Sequence, residues 1–87
     1  MRLTAKRVQG ALFRLTGKVG PKATGLKAQL QKRVGRKWKK VDTGRTKKGK
    51  VVFDVTVPEG TTTYRIRTVG SALYLEDVSK PVKVTAP

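Results

Sequence analysis

Apolar and polar residues alternate in several short stretches of this chain, and that period of two constrains the fold more than any other feature. From residue 11 the odd positions read Ala11, Phe13, Leu15, Gly17, Val19, against Leu12, Arg14, Thr16 and Lys18. From residue 26 the even positions read Leu26, Ala28, Leu30, against Lys27, Gln29, Gln31 and Arg33. Val51, Phe53, Val55 and Val57 oppose Val52, Asp54 and Thr56. Tyr64 and Ile66 alternate with Thr63, Arg65 and Arg67, and Val82 and Val84 with Lys83 and Thr85. Successive side chains of a strand point to opposite faces, so each stretch predicts a strand with one face in a core and one in water. The Val, Ile, Thr, Phe and Tyr content of these stretches suits a pleated, half-buried surface.

Turn chemistry falls between them. Gly20-Pro21-Lys22-Ala23-Thr24-Gly25, Gly35-Arg36, Lys47-Lys48-Gly49-Lys50, Pro58-Glu59-Gly60 and Gly70-Ser71 each separate two alternating runs. Strands are expected over 2–8, 11–19, 25–34, 37–42, 43–47, 51–57, 62–69 and 80–85. The two near residue 43 can be one bent strand, giving about seven strands. Residues 72–78 read as a loop with at most one helical turn. Short strands at this spacing mean an all-β protein, an antiparallel sandwich or a small barrel. The sandwich is favoured because the second, third, fifth and sixth strands each carry one clear apolar row. Its 87 residues make a single domain, 1–87, with one thin core. No apolar run is long enough to span a membrane as a helix.

The chemistry available is narrow. The chain has no Cys and no His, which removes disulfides, the common zinc sites and every Ser-His or Cys-His pair. The acids are Asp42, Asp54, Glu59, Glu76 and Asp77. Asp54 points out of a strand and Glu59 sits in a turn. Glu76 and Asp77 are adjacent oxygen donors of the kind hard cations favour, yet neighbours in extended chain face opposite ways. Ser71 and Ser79 have no base beside them, and no glycine belongs to a phosphate-cradling motif. No catalytic residue, cofactor or metal is expected; the chain reads as a non-enzyme.

The residues then resemble a family. Leu15-Thr16-Gly17-Lys18-Val19, Leu26-Lys27-Ala28-Gln29-Leu30-Gln31, Gly35-Arg36-Lys37-Trp38-Lys39-Lys40-Val41, Val51-Val52-Phe53-Asp54-Val55, Gly60-Thr61-Thr62-Thr63-Tyr64-Arg65-Ile66-Arg67 and Ser79-Lys80-Pro81-Val82-Lys83-Val84 look like an immunoglobulin-like module. The pattern resembles modules of secreted actinobacterial proteins and of actinobacterial phage structural proteins. It spans nearly the whole chain and rests on core and turn positions, so it speaks to fold more than to function. This sequence departs from it in being far richer in Lys and Arg. The resemblance implies a sandwich with Trp38 as the large plug between the sheets and Tyr64 as a tyrosine corner.

Charge selects the partner. Lys and Arg number 21 and Asp and Glu 5, a difference of +16. That exceeds the magnitude of about 2–8 that solubility asks of a small domain, so an anionic partner is expected. In an immunoglobulin-like sandwich the third, sixth and seventh strands share a sheet. Its outward positions would carry Lys27, Arg33, Arg65, Arg67 and Lys83 beside Gln29 and Gln31, with Lys37 and Lys39 nearby. The tip Lys47-Lys48-Gly49-Lys50 offers a second basic contact. Leu73-Tyr74-Leu75 makes an apolar loop tip suited to a protein contact.

The expected function is a non-catalytic structural or binding module, a small decoration-type protein of a phage capsid or tail. It would dock on an acidic protein surface and so reside in the virion. The chain starts with its own Met and shows no export signal, whereas the resembling modules work outside cells; release by lysis reconciles the two. One alternative is a module of a secreted actinobacterial protein, extracellular or wall-associated, binding anionic cell-wall polymer or another protein. Another is a nucleic-acid binder. Against nucleic acid stands the absence of aromatic residues from the expected basic face, since single-strand binders stack bases on such rings.

Overall fold

The computed structural model describes residues 2–20, 25–68 and 77–87. Eight strands follow in order: β1 (Arg2–Gln9), β2 (Leu12–Lys18), β3 (Lys27–Val34), β4 (Lys37–Arg45), β5 (Lys50–Thr56), β6 (Gly60–Thr68), the two-residue β7 (Asp77–Val78) and β8 (Val82–Ala86). They form two antiparallel sheets, one ordered β1-β2-β5 and one ordered β4-β3-β6, with β7 and β8 both pairing on the far edge of β6. The chain crosses from the small sheet to the large one after β2, back after β4, and over again after β5. This is the all-β antiparallel sandwich expected from the alternation.

The core comes from the inward rows. Leu3, Phe13 and Leu15 face Val51, Phe53 and Val55 within the small sheet, and Ala28, Leu30, Tyr64, Ile66, Val84 and Ala86 close it from the large one. Leu15, Leu30, Ala28 and Ile66 are fully enclosed. At Gly17 the side chain of Ile66 fills the space a Cβ would need, and Val51 Cγ1 would lie 3.1 Å from it. A larger residue there would have to push Ile66 aside.

The stretches 37–42 and 43–47 are one strand, the bent strand that the sequence allowed. It bends because Val41 is an extra residue: Leu30 pairs with Asp42 but Gln31 with Lys40. One expectation needs correction: Trp38 is not the plug between the sheets. The inserted residue puts the two halves of β4 out of phase with each other. Gly44 and Asp42 oppose the inward residues Ala28 and Leu30, whereas Lys40 and Trp38 oppose the outward residues Gln31 and Arg33. An indole thus lies on the outer surface, half-buried. Tyr64 is a core residue, as its alternation with Arg65 implied, 1% exposed and well inside β6. Burial raises its phenol above the ordinary 10.0. Among the described residues no hydroxyl bond makes it a corner.

Loop was expected throughout 72–78; Asp77–Val78 instead pairs with Arg67 and Thr68. Between β7 and β8, Ser79 is buried and takes over as the partner of Ile66. Its N–H donates to Ile66 O (2.9 Å), and its hydroxyl accepts from Ile66 N (2.9 Å). One side chain thereby keeps a core strand's backbone satisfied where the edge strand is interrupted.

Candidate functional site: the outer face of the large sheet

Residues directly opposite in an antiparallel pair share a face, so the register assigns the outward side chains of the large sheet. One row runs Thr43, Gln29, Arg67, Val78 and the next runs Lys40, Gln31, Arg65. Trp38 with Arg33, Arg45 with Lys27, and Lys83 with Thr63 complete the face. Four strands therefore contribute cations to one surface. None of the acids with described side chains enters these rows. Asp42 opposes inward Leu30, Glu59 precedes β6, and Asp54 belongs to the other sheet.

The centre of the face is held in place. Arg65 stacks its guanidinium over the Trp38 ring, 4.2 Å from the centroid. Its Nε donates to Gln31 Oε1 at 2.7 Å, and Gln31 Nε2 donates to Gln29 Oε1 at 3.4 Å. Gln31 is only 6% exposed, although it lies on the outer side of the sheet. Desolvation first, and then the charge of Arg67, lower the pKa of Arg65. No described carboxylate pairs with Arg65; Arg14 and Asp54 form the ion pair found among the described residues, on the other sheet. Arg65 is a cation whose orientation is fixed by the Trp38 ring and by Gln31, and no described carboxylate neutralises it. The edge of the face is partly ordered too, since Arg33 Nε donates to Gly35 O at 3.1 Å.

The structure thus gathers Lys27, Arg33, Arg65, Arg67 and Lys83 on one face, as the alternation implied. It removes Lys37 and Lys39. They oppose Val34 and Lys32, on the side of β4 opposite to Trp38. In their place stand Lys40 and Arg45, which share the outer face because the extra residue lies between them. The hairpin residues Lys47, Lys48 and Lys50 are not part of this surface. They join β4 to β5, and Lys50 opposes Lys18 in the small sheet. Leu73, Tyr74 and Leu75 lie outside the described residues.

Among the described residues no three of Asp, Glu, His and Cys stand together as a metal set, and no helix is long and apolar enough to cross a membrane. A cationic face with a central Trp–Arg pair has the composition of an interface centre, where Trp and Arg dominate binding energy. Compared with protein-family models, with characterised proteins and with solved structures, the chain finds no match in any of the three.

Proposed function

We propose that this chain is a non-catalytic docking module, an accessory virion protein of decoration type, that seats the outer face of its large sheet on an acidic protein surface. One observation carries the docking reading: Arg65 is stacked on Trp38 and tied to Gln31 at the middle of a face with cations from four strands and no described acid side chain among its rows. An arginine ordered in advance loses less freedom on binding, and charge complementarity sets encounter rate and register. The virion assignment rests on the resemblance of the sequence to phage structural modules.

Trp38 also favours a second reading. A half-exposed indole within a basic face is what a single-stranded nucleic acid stacks on, so the absence of such a ring no longer argues against that partner. A pull-down from a lysate of the source separates the two. Retention of one capsid or tail protein after nuclease at physiological salt, lost in Arg65→Glu, is the expected result. If only nuclease-sensitive material is captured and salt strips it, nucleic acid is the partner and the docking proposal fails.

A further inference from the structure

The other sheet holds a second concentration of charge with a different shape. Arg2 opposes Lys18 on β2, and Lys18 opposes Lys50 on β5. Three cations therefore stand side by side across three neighbouring strands at one end of the sheet. Like charges directly opposite on adjacent strands repel and destabilise the pairing. The same face shows how such a row is relieved. In the row Lys6, Arg14, Asp54, the carboxylate of Asp54 accepts from Arg14 Nε at 3.0 Å. No described carboxylate does this for Arg2, Lys18 and Lys50.

A cleft of about 440 Å³ opens beside this row, and Lys48 joins the three cations around it. The turn that carries Lys48 is fixed. Lys47 N donates to Lys50 O (2.7 Å), Lys50 N donates to Lys47 O (3.1 Å), and Val19 N donates to Gly49 O (2.8 Å). Lys48 has φ +52° and Gly49 φ +82°. Two successive positive φ values make this a type I′ turn, whose first central position favours Asn, Asp or Gly. Lysine is strained there. What it adds over those residues is a fourth positive charge at the cleft.

We infer that this cleft binds a chain of phosphoryl groups, at a site separate from the docking face. A lone carboxylate brings one charge and leaves the row strongly positive. A run of linked phosphates brings a negative charge and two acceptor oxygens at each internal group, and more charge and a third oxygen at a terminal one. Strands about 4.8 Å apart make the row about 10 Å long, so linked phosphates lie along it. Arg2 supplies a planar fork and the lysines point charges, the two ways proteins hold phosphate oxygens.

Inorganic tripolyphosphate is the probe, followed by the amide NMR shifts of the full chain at physiological salt. Saturable shifts confined to Val19, Gly49, Lys50 and their neighbours are expected, with binding weakened about tenfold in Lys18→Gln and in Lys50→Gln. Lys39→Gln, which lies on neither the docking face nor the cleft, leaves it unchanged. Shifts that do not saturate, that spread over both sheets, or that ignore Lys18→Gln and Lys50→Gln overturn the proposal. A short oligothymidylate is the second arm. If it displaces tripolyphosphate with the same dependence on Lys18 and Lys50, the phosphates are those of a nucleic-acid backbone. If it does not, they are those of a free polyphosphate. Spectra of both variants that keep the native dispersion show that lost binding is not lost folding.

Discussion

At the residue scale, Trp38 is where size misleads. A lone Trp in a small sandwich reads as core, and truncating a buried one costs about 3–5 kcal/mol. On the outer face, with one side against Arg65, it contributes packing and a cation–π contact of about 0.5–1 kcal/mol. Trp38→Ala is therefore expected to lower the melting temperature only slightly while weakening docking; thermal melts beside the pull-down check both. Gly17→Ala should do the reverse. It forces a methyl against Ile66 and Val51 and costs about 1–3 kcal/mol, measured by urea unfolding, with the docking face untouched. Tyr64 gives a pH prediction. Folding holds its phenol neutral, so its folded pKa lies above that of the unfolded chain. The resulting stability is fully present below pH 10.0 and is lost as pH rises through the folded value. Tyr64→Phe should lose less stability than the parent over that rise, whatever the lysines add to both.

At the element scale, alternation made the fold legible. A buried row at every second position cannot slip by one residue without exposing itself, and so β2, β3, β5 and β6 were readable with their core residues. The bulge in β4 was not. Val41 looks like any strand valine, and its insertion shows only in the pairing with β3. The row Arg2, Lys18, Lys50 was hidden for a related reason, because its members are far apart in sequence and meet only through register. The bulge makes a prediction of its own. Lys39→Glu and Lys40→Glu change the same charge on adjacent residues of one strand, yet only Lys40→Glu should weaken docking. Equal loss in the two variants would mean that total charge, and not this face, governs binding. The bulge and the lysines of β4 also blunt an open sheet edge against pairing with other chains.

At the scale of the whole molecule, a charge of +16 opposes its own compactness. Screening should relieve it, so the melting temperature is expected to rise from about 10 mM to about 300 mM NaCl as the Debye length shrinks. A flat response would mean that the cations are too far apart to repel. Docking on an anionic partner relieves the same repulsion by contact, and so stability and binding should compete: salt that steadies the free protein weakens the complex.

The stacked pair of Trp38 and Arg65 has a practical consequence. The chain has one tryptophan, and it sits at the centre of the surface proposed to meet the partner. Its ultraviolet emission is therefore an intrinsic gauge of occupancy. Any molecule that covers the ring or pulls the guanidinium from it changes the colour or yield of that light, without a dye or a tag. A ligand held only at the far end of the other sheet leaves it unaltered.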